Sequence, residues 1–149
     1  MADESFKKVF LDTHNAYRKM HHAPPLTLNS EMSAKAQKWA DKMLEKKSLT
    51  HSETNDGENV YYMSSSQDMK LTGKEAVDSW YGEIKDYKFS QPGFQSNTGH
   101  FTQVVWKDSK ELGVGMATDG KYFFVVGQYR PAGNFTNEGA FENNVLPKD

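Results

Sequence analysis

Apolar residues recur at helical spacing in three stretches of the chain. They repeat every three to four positions with charged residues between them, which predicts amphipathic helices over residues 4–22, 30–47 and 73–86. We expect the first helix to end before Pro24-Pro25, because proline disfavours helix in the preceding residue and has no amide hydrogen. On the third helix, Glu83 lies near the edge of the apolar stripe, so its carboxylate is expected to point into the protein or a cleft.

Strand signals dominate the second half of the chain. Runs rich in β-branched and aromatic residues predict strands over 58–63, 112–117 and 122–129, with Asp119-Gly120 as the hairpin turn between the last two. The unbroken apolar centre of the last run is typical of a central strand that is covered on both faces. Helices packed on such a small antiparallel sheet form an α+β layered domain.

One short stretch places a histidine beside a run of large apolar side chains. In Gly99-His100-Phe101-Thr102-Gln103-Val104-Val105-Trp106, apolar residues at i, i+3 and i+4 predict a short buried helix with His100 in its first turn. The preceding residues 87–99 contain two turn signals and predict a long loop that exposes aromatic side chains.

Composition narrows the class of protein. The 149 residues are enough to bury a core, and we expect a single domain over residues 1–149. A net charge of −2 provides no electrostatic attraction to nucleic acid or anionic lipid. The chain has no cysteine and no signal-peptide pattern, which favours the cytoplasm; an extracellular location is the alternative if a leader was removed. Residue 2 is Ala, so the myristoylation pattern is missing.

Without cysteine, the candidate chemistry rests on histidine and carboxylate side chains. His51 and His100 each adjoin a loop, whereas His14 is expected to be a surface or half-buried helical residue. Glu58 and Glu83 are the carboxylates that the fold could bring near them. Two imidazoles and two carboxylates in one cleft would suit Zn²⁺ or another divalent ion, or a base that polarises water. Spacing alone leaves open that the four residues have separate structural roles.

Several motifs in order resemble the CAP superfamily of cysteine-rich secretory proteins, antigen 5 and pathogenesis-related-1 proteins. The stretch Gly99–Trp106 is similar to the first family signature, and Tyr129-Arg130-Pro131-Ala132-Gly133-Asn134 to the second. Gly57-Glu58-Asn59 and His14-Asn15-Ala16-Tyr17-Arg18 match further family positions. Trp80-Tyr81-Gly82-Glu83-Ile84-Lys85 resembles a Golgi-associated branch, and the lack of cysteine agrees with that intracellular branch.

The resemblance implies an α-β-α sandwich whose large central cavity holds a tetrad of His51, Glu58, Glu83 and His100. It further implies that the two histidines bind a divalent metal, commonly zinc, with the glutamates close by. Family members are linked to sterol and other lipid binding, and the Golgi-associated branch lies on the cytosolic face of membranes and dimerises. We therefore predict a peripheral Golgi membrane protein that binds lipid or sterol, forms a homodimer and does not bind nucleic acid.

Two other functions remain open from the sequence. The first is a metal-dependent hydrolase with His51 and His100 as ligands and Glu58 or Glu83 as base; in a variant, Ser64 is the nucleophile, within one chain or across a dimer. The second is a protein-interaction scaffold in which the four residues only satisfy each other by hydrogen bonds. No oxyanion hole is identifiable in the sequence, so an enzyme is the weaker expectation.

Overall fold

A computed structural model describes residues 2–66 and 70–148 of the chain. In chain order its elements are α1 (Glu4–Met20), β1 (Thr27–Leu28), α2 (Ser30–Lys46), β2 (Gly57–Ser64), α3 (Lys74–Tyr81) with a following 3₁₀ turn (Gly82–Asp86), α4 (Gly99–Val104), β3 (Glu111–Thr118), β4 (Tyr122–Arg130) and α5 (Ala140–Asn144). The predicted helices and strands are present, except that the third helix tightens into the 3₁₀ turn after Tyr81. None of the described helices is long and apolar enough to cross a membrane.

The sheet has the strand order β1-β3-β4-β2. β4 pairs antiparallel with both β2 and β3, and seven consecutive residues of β4 are buried, as expected of a central strand. The two-residue strand β1 departs from the prediction of a purely antiparallel sheet, because it pairs parallel to β3 at the edge. This pairing is not a local property of the sequence, because it depends on the position of β3 in the second half of the chain.

Helices cover both faces of the sheet and give the α-β-α sandwich. α2 packs on one face against β3 and β4, while α1, α3 and α4 lie on the other. Two glycines of β3 let α2 approach closely. A Cβ atom on Gly113 would lie 2.6 Å from the backbone of Met32, and one on Gly115 would lie 2.4 Å from the backbone of Ala36. These two glycines therefore form the surface of β3 on which α2 packs.

A chain of buried hydrogen bonds runs from α1 to α4. His14 is fully buried, so the expectation of a surface or half-buried residue was wrong. Its Nδ1 donates to the carbonyl oxygen of Phe10 (2.8 Å), which leaves Nε2 to accept from the Tyr129 hydroxyl (2.7 Å). Asn59 then donates to the Tyr129 oxygen (3.2 Å) and to the carbonyl oxygen of His100 (3.1 Å). The core is thereby joined to the predicted site.

Arg18 is also completely buried, at the C-terminal end of α4. Its guanidinium donates to the carbonyl oxygens of Val104 (3.1 Å), Trp106 (2.8 Å) and Ser109 (2.9 Å), and Nε donates to Pro24 (2.9 Å). These bonds fix α4 and the segment after it against α1.

The close approach of α2 to β3 yields a stability prediction. We expect Gly115→Ala to lower the free energy of unfolding by about 1–3 kcal/mol, because the new methyl group meets backbone that cannot rotate away. Gly82→Ala is the matched control, since it is exposed, helical and has nothing within 4 Å of the new Cβ. Its unfolding free energy should stay within about 0.5 kcal/mol of the wild type or rise slightly. Urea denaturation measures both free energies of unfolding. Equal effects of the two changes would contradict the close packing of α2 on β3.

The buried imidazole of His14 predicts how stability depends on pH. Burial lowers the pKa of His14 from 6.5 to about 3. The unfolded chain therefore takes up a proton near pH 6.5 that the folded chain refuses, so stability is fully present above pH 6.5 and declines as the pH falls towards 3. We expect His14→Gln to reduce the loss of unfolding free energy between pH 6.5 and 4.5 by about 2 kcal/mol.

Urea denaturation across this pH range measures the slope. The lower end of this window overlaps with the titration of glutamate, whose ordinary pKa is 4.5, and burial also lowers the pKa of His21. Part of the slope therefore remains in the variant. Lys19→Gln, a neighbouring exposed change, should keep the full slope. An unchanged slope in His14→Gln would show that His14 does not carry it.

Candidate functional site

Two of the four predicted site residues, His51 and Glu58, form a first pair at the start of β2. The carboxylate of Glu58 is only 3% exposed and accepts from His51 Nδ1 (3.1 Å), the Ser52 amide (2.8 Å), the Ser52 hydroxyl and Gln128 Nε2 (3.0 Å). Burial raises the pKa of Glu58, but the hydrogen bonds outweigh it and hold the pKa below its usual value. The same bond to Glu58 raises the pKa of His51.

The second pair, Glu83 with His100, lies at the N-terminal end of α4. Glu83 belongs to the 3₁₀ turn, and its carboxylate points towards α4. Oε1 accepts from the amides of His100 (2.9 Å) and Phe101 (3.1 Å), while Oε2 accepts from His100 Nδ1 (2.8 Å). The ring of His100 is parallel to that of Trp80, with 6.2 Å between centroids. Glu83 thus caps the helix and orients the imidazole at the same time.

Strand β2 separates the two pairs. Successive side chains of a strand point to opposite faces. Glu58 lies on the α2 face, together with Val60, which packs in the same cluster as Ala36. Asn59 lies on the other face and contacts His100. In residues 2–66 and 70–148 there is no group of three or more His, Asp or Glu side chains that could hold a metal ion. The structure therefore places the four residues in two separate His–Glu pairs.

Each imidazole has the environment of a metal ligand, whereas the number of donors is small. Metal-binding histidines usually donate their second ring nitrogen to a carboxylate, as His51 and His100 do through Nδ1. Nε2 is then the nitrogen that would meet an ion. Protein zinc sites have at least three protein ligands, and the described residues do not supply them at one point. Imidazole nitrogen is a ligand that suits zinc, but the number of protein ligands at one point is too small for a usual zinc site. Zinc binding at these residues therefore stays a prediction.

Neither carboxylate is placed to act as a general base. Glu58 accepts four hydrogen bonds and Glu83 accepts three, so their lone pairs are already engaged. Ser52 donates its hydroxyl to Glu58 and not to an imidazole. Ser64 ends β2 opposite Tyr122, about 20 Å along the strand from Glu58. Within one chain the geometry lends no support to the hydrolase alternative.

Beside the first pair, a cleft of about 1270 Å³ opens between α2 and residues 51–56. His51 lines it, together with Trp39, Ser52, Gln128 and Arg130. The sequence analysis missed Ser52 and Gln128. A glutamine inside an otherwise apolar strand was the available signal, since a buried amide needs partners.

Beside the N-terminal end of α4, two exposed phenylalanines form what we call the aromatic tip, Phe94 and Phe135. They are 53% and 54% exposed. A Cβ atom on Gly99 would lie 3.0 Å from the Phe94 ring, and Asn134 donates to the Gly99 carbonyl oxygen (2.9 Å), so both loops are fixed to the start of α4. The prediction of an exposed aromatic loop over 87–99 holds for Phe94, whereas Tyr87 is buried in the core.

Comparisons with known proteins agree with this fold. The chain is 47% identical over 152 residues to Golgi-associated plant pathogenesis-related protein 1 of Homo sapiens, an alignment that covers 98% of this chain and 96% of the relative. Among solved structures, "Structure of BmVAL-1" aligns with a TM-score of 0.79 at 23% identity, covering 99% of this chain and 84% of that one. "Crystal structure of NaASP2 with Zn2+" aligns with a TM-score of 0.77 at 22% identity, covering 99% and 88%. These two structures show the fold alone.

A family model settles the assignment. The model described as "CAP: Cysteine-rich secretory protein family" matches residues 11–129, which include both His–Glu pairs and the start of the second signature. The resemblance seen in the sequence is confirmed by this match and by the human relative. The chain therefore belongs to the CAP family.

Proposed function

We propose that this CAP domain binds membranes peripherally through the aromatic tip and takes up lipid, including sterol, at that surface. The observation that carries the proposal is the pair of exposed phenylalanine side chains on two loops that are tied to one helix end. Large aromatic side chains are favoured at the boundary between water and lipid. Because the loops are already fixed, little conformational entropy is lost when the tip enters the bilayer.

In this proposal, apolar contact rather than charge contributes most of the free energy of membrane binding. Burying a phenylalanine side chain contributes about 1.5–3 kcal/mol, so two of them suffice for reversible binding. The net charge of −2 opposes attraction to anionic lipid. We therefore propose neutral, sterol-containing bilayers as the preferred surface. The name of the human relative, Golgi-associated, supports the Golgi membrane as the cellular target.

A homodimer is part of the same proposal. Two aromatic tips on one particle would raise the apparent affinity for a membrane without any new contact, because the second tip binds at high local concentration. Sedimentation equilibrium of the free protein tests the assembly, and a monomer at every concentration would contradict it.

The tip predicts a loss of membrane binding on substitution. We expect Phe94→Ser with Phe135→Ser to weaken co-sedimentation with phosphatidylcholine–cholesterol vesicles by about tenfold or more, because the apolar contact is removed. Leu49→Ser is the matched control, since Leu49 is 48% exposed but lies outside the two loops that carry the aromatic tip. Binding should change little between low and high salt. Equal binding by the tip variant and wild type would contradict the proposal.

We also propose that His51 and His100, each at its own pair, bind a divalent cation weakly through Nε2. The support is that both rings donate Nδ1 to a carboxylate, the arrangement found around metal-binding histidines. We expect zinc to shift the ring-proton NMR signals of both histidines with a Kd of about 10 μM or weaker, since fewer than three protein donors converge. Each shift should persist in the alanine variant of the other histidine, because the two pairs do not share donors. Absence of any shift at either ring would contradict the site.

A further inference from the structure

Gln128 holds an unpaired acceptor beside the cleft on the α2 face. The residue is 2% exposed, and its Nε2 donates to Glu58 Oε2 at 3.0 Å, which fixes the orientation of the amide. In the described part of the chain, Gln128 Oε1 is buried and has no hydrogen-bond partner. A buried acceptor without a donor is unfavourable. This oxygen is closed to solvent in the free protein, so a ligand donor reaches it through a movement of the cleft lining, which the unmet acceptor favours.

The charges around this cleft balance. Lys35, Lys38 and Lys42 of α2 and Arg130 of β4 line it together with an equal number of carboxylates. Arg130 is already neutralised by a bidentate ion pair with Asp56, at 2.9 and 3.0 Å. Apart from His51, the lining has no net formal charge, so neither an anion nor a cation is attracted as such.

The remaining lining side chains suit a ligand with hydroxyl groups. Trp39 lies half-buried at the wall, held by a bond from its indole nitrogen to the Thr50 carbonyl oxygen (2.8 Å). Thr54 and Asn55 are exposed on the loop across the cleft and offer hydroxyl and amide groups. A ligand that combines apolar ring faces with hydroxyl donors can pack on an indole and hydrogen-bond to amides at once.

We propose that the cleft between α2 and residues 51–56 binds a neutral polyhydroxylated ligand of the oligosaccharide class, with Gln128 Oε1 accepting one of its hydroxyl groups. The volume of about 1270 Å³ accommodates several sugar rings. This site lies on the α2 face, whereas the aromatic tip lies at the start of α4 beside the opposite face. The proposal therefore goes beyond membrane binding and does not rest on it.

NMR titration of the full chain with cellotriose, maltotriose and chitotriose tests the site. With at least one of them we expect saturable shifts of the Trp39 indole proton and of the amides of Ser52, Asn55 and Gln128, with a Kd of about 1 mM or tighter. A sulfated trisaccharide should bind no better than its neutral counterpart. Tighter binding of the sulfated sugar, or no saturable shift with any of the three neutral sugars, would overturn the proposal.

Variants separate the acceptor from general effects on folding. Gln128→Leu should weaken binding by about tenfold or more while membrane co-sedimentation stays unchanged. Gln91→Leu, an exposed glutamine outside the cleft, should bind as the wild type does. Should Gln128→Leu fail to fold, the exposed change Asn55→Ala tests the location of the ligand from the loop side of the cleft and should also weaken binding. Wild-type affinity in a folded Gln128→Leu, or in Asn55→Ala where that variant takes its place, would overturn the assignment, whatever the aromatic-tip variant does.

Discussion

The buried guanidinium of Arg18 is the interaction on which the placement of α4 depends. Four carbonyl oxygens accept from it, and three of these belong to the end of α4 and the segment that follows. Burial lowers the pKa of Arg18 to about 10, so the side chain stays charged at neutral pH. A helix C-terminus leaves carbonyl groups without partners and carries partial negative charge, which a cation satisfies on both counts. A residue without donor groups here would remove four hydrogen bonds to backbone carbonyl oxygens.

At the opposite end of α4, a carboxylate performs the complementary task. Glu83 accepts the amides of His100 and Phe101, where the helix carries partial positive charge. A helix of six residues is too short to be stable in isolation. Its order comes from tertiary hydrogen bonds at both ends, supplemented by Asn59 on the His100 carbonyl and Asn134 on the Gly99 carbonyl. The position of His100, and of the aromatic tip beside it, follows from these bonds.

Much of the fold could be predicted from the sequence, because helix and strand periods are local properties. The register of β2 against β4 is not local, and it pairs Glu58 with Gln128 rather than with the other predicted site residues. A shift of one residue would have turned Glu58 towards His100, so the sequence could name the four residues but not their pairing. His14 was misjudged for a related reason. It follows Phe10 at i+4 on the buried stripe, and only the distant Tyr129 hydroxyl makes its burial tolerable.

The pairing also explains why the four residues need not imply a reaction. Each carboxylate is satisfied by backbone and side-chain donors that belong to the fold: Glu83 fixes α4, and Glu58 fixes the 51–56 segment through Ser52. The hydrogen bonds to Glu58 hold its pKa below the usual value, and a lowered proton affinity is unsuited to a general base. What remains available lies around the pairs, namely the outer nitrogens of the two imidazoles, the aromatic tip and the unpaired oxygen of Gln128. Binding at surfaces that these anchors keep rigid is therefore better supported than catalysis at the anchors themselves.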